Sequence, residues 1–187
     1  MPGIHNPAEF RLLRELAGFE RRLDHFVETG LFRGETLEAA SHSGEFQTLT
    51  SIEIFAPYIH AYRTRHGDAP GVRLLCGDSA ALLPSAAPDA PCFFFLDAHW
   101  WDDPHGIIPC PKEPLPLWEE LRYIVSRPHA DLVVVDDVQV FGGHAVVTEE
   151  WLTVTLDSIN TFLGNRRQCS LLHENRYILA LKARTEL

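Results

Sequence analysis

Two short apolar runs constrain this chain more than anything else in it: CFFFL at residues 92–96 and LVVV at residues 132–135. Neither alternates polar with apolar, so a strand made from either has to be covered on both faces. Each is also too short for a buried helix. Each ends in acid, the first at Asp97 and the second at Asp136-Asp137. Strands covered on both sides belong to layered α/β architectures, in which helices return the chain between parallel strands.

The rest of the chain supplies the remaining units. Residues 26–29 (FVET) read as a first strand, followed by a turn with Gly30 and Gly34 and by a helix over 36–43 that Gly44 ends. Such a turn offers backbone N–H groups at a helix start and leaves room against bare backbone. Residues 48–54 are β-branched and read as the second strand, ending at Glu53, with a helix over 57–66. Residues 72–75 form a third strand, then the turn Cys76-Gly77-Asp78-Ser79 and a short helix starting at 80–83, with a loop from there to Pro91. After Asp97-Ala98-His99 comes a stretch with five prolines, residues 100–116, read as a loop because proline removes ladder donors and breaks helix interiors. A helix over 117–125 precedes the LVVV strand. A helix over 148–163 follows it, carrying Trp151, Val154, Leu156, Ile159 and Phe162. Residues 169–172 and 177–181 close the chain as an antiparallel hairpin. Ahead of all this, Asn6 reads as a cap, Pro7 as the first helical residue and Glu9 as the capping-box acid. In that N-terminal helix (residues 1–25), Phe10, Leu13, Leu16, Ala17 and Leu23 form the apolar stripe. The expectation is one α/β domain over 1–187, a Rossmann-like three-layer sandwich. Its mostly parallel seven-stranded sheet has right-handed crossovers and a C-terminal antiparallel hairpin.

Charge narrows the partners. A net charge of −10 on 187 residues argues against a nucleic-acid binder working through a basic surface. No run approaches the roughly 18 apolar residues of a membrane span, and the N-terminus lacks the basic-then-apolar pattern of an export signal. Cys76, Cys92, Cys110 and Cys169 are scattered without a C-x-x-C pair, which fits reduced thiols in a cytoplasmic setting. A small-molecule partner is the expectation, and a homodimer is compatible with it.

The acids fall in a pattern. Glu28 ends the first strand, Glu53 the second, Asp78 follows the third, Asp97 the fourth, and Asp136 with Asp137 the fifth. In a parallel sheet all of these lie on one rim, where ligands of such sheets bind. Like charges gathered there repel unless a cation, a metal or hydrogen-bond donors offset them. Each acid taken singly also reads as a solvated loop residue or a helix cap, Asp78 above all. Glu53 stands about 20 residues past the glycine turn, where an acid reaches a ribose hydroxyl pair in nucleotide-binding folds. Asp97, Asp136 and Asp137 suit a hard divalent cation such as Mg²⁺ or Mn²⁺, and His99 reads as a fourth ligand or a general base. His105 in the loop is a candidate substrate contact. His25, His42, His60, His129 and His144 form no constellation.

In that order, FVETGLFRGET, SIE, GDS, FFFLDAH and VVVDD resemble a class I S-adenosylmethionine-dependent methyltransferase. More narrowly they resemble the metal-dependent macrocin-type sugar O-methyltransferases, over residues 26–182. The resemblance implies S-adenosyl-L-methionine as cofactor, with Glu28, Gly30 and Gly34 along its methionine part and Thr29 and Asp97 also against it. It implies Glu53 on the ribose, and Asp78 with Ser79 by the adenine. It puts a divalent metal on Asp97, Asp136 and Asp137, and the chemistry on Asp97 and His99. Where the sugar enzymes carry an acidic base two residues after the fourth-strand aspartate, this chain has His99. Where a fuller glycine turn has its middle glycine, it has Phe32. The loop at 100–116 would then close over the acceptor, with Trp100 and Trp101 against its ring. The implied reaction is methyl transfer to a hydroxyl of a sugar, diol or catechol-like molecule. A nicotinamide-dependent oxidoreductase, a metal-dependent hydrolase and a non-catalytic binding module are the rival readings.

Overall fold

A computed structural model of the chain describes residues 3–99, 115–138 and 154–186. Seven strands form one sheet in the order β3-β2-β1-β4-β5-β7-β6. They are β1 (His25–Thr29), β2 (Thr48–Glu53), β3 (Val72–Cys76), β4 (Cys92–Leu96), β5 (Leu132–Val135), β6 (Arg167–His173) and β7 (Arg176–Leu181). The first five are mutually parallel, β7 runs antiparallel to β5, and β6 pairs antiparallel with β7. Sequence order reverses between β1 and β4, so the crevice at that switch point opens at the carboxyl ends of both.

Alternating side chains of the unpatterned strands feed two separate cores, which is why those strands show no polar face. Phe93 and Phe95 of β4 join Leu132 and Val134 of β5 on one side. Cys92, Phe94 and Leu96 join Val133 and Val135 on the other. The first core is closed by α1 (Glu9–Leu16), α2 (Glu35–Ser43) and α3 (Ala56–His66), the second by α4 (Ser79–Ala86), α5 (Leu117–Ser126) and α6 (Leu156–Leu163). Phe10 of α1 meets Phe26 and Phe93 edge-on at centroid distances of 5.6 and 5.5 Å. Each such buried ring contributes about 2–3 kcal/mol of transfer free energy.

Four elements differ from the sequence expectation by more than one residue at an end. α1 begins at Glu9 and ends at Leu16, so Ala17 and Leu23 are buried outside it, and Leu16 is exposed. Asn6 accepts from the Ala8 N–H in the turn ahead of the helix, and Glu9 forms no capping box because its carboxylate pairs with Arg176. α4 continues to Ala86 through Pro84. That proline is exposed and has no N–H to give the Ala80 carbonyl. α6 starts at Leu156, behind a reciprocal cap in which the Ser158 N–H donates to Thr155 Oγ1 and the Thr155 N–H to Ser158 Oγ, at 3.1 and 2.9 Å. Val154 therefore packs ahead of the helix, and residues 148–153, with Trp151, lie outside the described residues. β6 is longer than expected, with an irregular register between Arg167 and Cys169.

At the amino-terminal edge of β4 and β5 a buried ion pair joins Arg127 Nε to Asp131 Oδ2 at 3.0 Å. Asp131 Oδ1 accepts the Cys92 N–H, and Arg127 also donates to the carbonyls of Pro88 and Ala90. Cys76, Cys92 and Cys169 are free thiols. Among the described residues no helix is long and apolar enough to cross a membrane.

Candidate active site

The carboxyl edge is assembled from the turn after β1. Gly30 has φ +85°, and a side chain there would come within 2.6 Å of the Asp97 carbonyl oxygen, so bare backbone lets the turn press against the end of β4. The Asp97 N–H donates to the Thr29 carbonyl at 3.0 Å, continuing the β1–β4 ladder past the strands. Gly34 serves another purpose: a Cβ at this position would lie 2.3 Å from the Tyr62 ring, so the glycine admits α3. Phe32 takes φ +47°, the left-handed conformation of the glycine it stands in for.

The rim acids separate into those with partners and those without. Glu53 accepts from the N–H groups of Phe55 and Phe32 at 2.7 and 3.0 Å, tying the end of β2 to the glycine turn. Burial raises its carboxyl, and these backbone donors pull it back. Asp78 caps α4 by accepting the Ala80 N–H at 3.0 Å. Asp136 accepts Arg176 Nε and the Asp137 N–H on Oδ1, at 3.0 and 2.9 Å, and the Gly3 N–H on Oδ2 at 2.8 Å. Glu28 is 1% exposed and faces no counter-charge among the described residues; the Ser51 hydroxyl donates to it at 2.5 Å. Burial pushes its carboxyl up to about 8. The half-buried Asp97 carboxyl is also raised well above the carboxylate range, first by burial and then by Asp136 and Asp137.

Three side chains meet where β4 and β5 end. His99 Nε2 lies 3.4 Å from Asp137 Oδ2 and 3.8 Å from Asp97 Oδ1. One ligand atom from each of Asp97, His99 and Asp137 falls within 4.8 Å of the others. Two carboxylates and an imidazole at that spacing fit a hard divalent cation. The set differs from the sequence expectation at one position. Asp136, expected as a ligand, stands outside it with both oxygens engaged by Arg176, Gly3 and the Asp137 amide, and His99 takes its place. Trp100, Trp101 and His105, with the loop through Pro114, lie outside the described residues.

Sequence reasoning missed Glu120. It is 1% exposed in α5. The hydroxyls of Thr29 and Ser79 lie beside its carboxylate and offset part of its burial, but none of the three meets hydrogen-bond geometry. Its carboxyl is pushed up to about 7, mainly by burial. A signal was available: Glu120 sits three residues after Leu117 and four before Ile124, on the apolar stripe of the helix. Arg176 and Asn175 were missed as well, and they carried no such signal. A cleft of about 440 Å³ between the starts of β2 and β3 and the end of α4 lies at the opposite edge of the sheet, away from all of this chemistry.

The sequence matches no protein-family model and no curated protein. Solved structures share its fold. The O-methyltransferase TomG from Streptomyces achromogenes, solved with S-adenosylmethionine, is 21% identical; the match covers 94% of this chain and 79% of that one, with a TM-score of 0.60. Cofactor-bound Rv0187 from MTB is 18% identical over 92% of this chain and 78% of its own, TM-score 0.59. A Staphylococcus aureus protein assigned as a caffeoyl-CoA O-methyltransferase is 14% identical over 95% and 82%, TM-score 0.58. This is the Rossmann-like methyltransferase fold. The closing antiparallel β7–β6 pair, expected from the sequence, is part of it.

Proposed function

We propose that the protein is an S-adenosylmethionine-dependent O-methyltransferase acting on a hydroxyl of a small sugar, diol or catechol-like molecule, assisted by a divalent ion. The observation that carries this reading is the meeting of Asp97, His99 and Asp137 beside the Gly30 turn, at the carboxyl-edge switch point of this fold. The methyl carbon would pass from the sulfonium sulfur to the acceptor oxygen. The C–S bonding pair stays on sulfur as a neutral thioether, and the hydroxyl proton goes to a base. Glu28 and the N–H groups of the glycine turn would face the methionine end of the donor, Glu53 the ribose, and Asp78 with Ser79 the adenine. Asp97 and Asp137 would hold the ion, with His99 completing the set. When bound, the ion lowers the acceptor's pKa and directs it. A vicinal hydroxyl on the acceptor would favour the same arrangement. If no ion is used, His99, backed by Asp137, is the proton acceptor.

Calorimetry with S-adenosylhomocysteine tests the donor site. Wild type should bind, and Glu53→Ala should bind at least about tenfold more weakly, as expected for loss of a charge-assisted hydrogen-bond pair. Absence of binding by wild type would sink the reading. Methyl transfer before and after chelation separates an ion-assisted reaction from one run by His99 alone. A metal-dependent hydrolase built on the same three side chains would turn over without any methyl donor.

A further inference from the structure

Asp136 and Asp137 leave β5 side by side, and the fold treats them differently. Both are buried, so each needs partners. Asp136 receives a cationic donor: Arg176 Nε donates to it, while the same guanidinium donates to the Gly3 carbonyl and pairs with Glu9. Asp137 receives a neutral donor instead. Asn175 Nδ2 donates to its Oδ1 at 3.0 Å, and Oδ2 points to His99 Nε2. The Asn175 carbonyl also accepts the Val138 N–H at 3.1 Å, so one residue holds both the side chain of Asp137 and the backbone just after it. Asp137 itself sits at φ +54°, a conformation that a non-glycine residue keeps only where its surroundings enforce it. Asn175 and Arg176 are neighbours at the β6–β7 turn, where Glu174 adopts φ +52°.

We propose that this turn sorts the two aspartates: Arg176 commits Asp136 to holding the fold, and Asn175 is a positioning residue that aims Asp137 at a divalent cation shared with Asp97 and His99. The physical distinction is charge. A guanidinium orients a carboxylate and offsets part of its charge; an amide orients it and leaves its charge available. The inference rests on the ion-assisted reading above, and its test separates the two.

The measurement is Mn²⁺ binding by the full chain, followed through the paramagnetic resonance of the free ion, with thermal midpoints recorded alongside. Asn175→Ala should bind at least about tenfold more weakly than wild type, in line with the loss of an outer-shell partner. Asn175→Lys should bind more weakly still, because it restores a donor but brings a cancelling charge. Asp137→Asn should lose at least about tenfold while Asp136→Asn stays within about threefold of wild type. That second pair decides which of the two aspartates faces the ion even if Asn175→Ala fails to fold. Equal affinity in Asn175→Ala and wild type, or an Asp136→Asn loss as large as that of Asp137→Asn, overturns the sorting and leaves the ion site standing. No Mn²⁺ binding by wild type overturns both.

Discussion

Among the described residues, Glu120 and Glu28 are buried carboxyls without a countercharge, and that makes their protons part of the protein's stability. In Glu120 the folded-state value is about 7 against an ordinary 4.5. Between those values the folded chain holds a proton that the unfolded chain has released, so stability falls as pH rises through the window and stays lower above it. Glu120→Gln should remove that slope. Denaturant unfolding at pH 5 and pH 8 should show wild type losing roughly 2–3 kcal/mol more than the variant between the two conditions. Equal losses would mean that the carboxylate is better solvated than its burial implies. Glu28, raised to about 8, gives a second test at the same scale. A cationic methyl donor placed beside it favours the ionised form, so binding at pH 7 should release a proton. Calorimetry in buffers of different ionisation enthalpy should detect that proton in wild type and not in Glu28→Gln.

Among the elements, α2 and α3 meet through one glycine. Gly34 combines a left-handed φ of +83° with a Tyr62 ring that would lie 2.3 Å from any Cβ. Gly34→Ala should cost about 2–4 kcal/mol, from backbone strain and overpacking together. In a Tyr62→Ala background the same substitution should cost about 1 kcal/mol, since only the strain remains. Additive costs in that double-mutant cycle would argue that the ring is not the obstacle. The two glycines of this turn look alike in the sequence and serve different ends. Gly30 brings the turn to Asp97, and Gly34 makes room for a neighbouring helix. Spacing alone cannot separate them, because the difference lies in what approaches each from elsewhere in the chain.

At the scale of the molecule the two edges of the sheet divide the work. The amino edge is held by the Arg127–Asp131 pair, in which both side chains are at most 5% exposed. Asp131→Ala would strand a buried guanidinium and leave the Cys92 N–H unpaired, for a loss of about 3–5 kcal/mol in denaturant unfolding. The predicted loss would be unaffected by S-adenosylhomocysteine if this edge has no part in binding. The carboxyl edge carries the less compensated acids, Glu28, Asp97 and Glu120, whose ionisation the fold disfavours.

Local pattern was enough to place the strands and to put an acid at the end of each parallel one. Unbroken apolar runs have to be buried on both faces, and a parallel sheet sends every carboxyl end to one rim. Hence Cys92–Leu96 and Leu132–Val135 were legible to the residue. Which acid would receive a cationic partner was not. Arg176 reaches Asp136 across 40 positions of sequence, and Asn175 reaches Asp137 across 38. Both contacts exist only because β7 lies against β5 in one register. Periodicity is a property of neighbours along the chain; the pairing of charges belongs to neighbours in space, and only the folded molecule decides it.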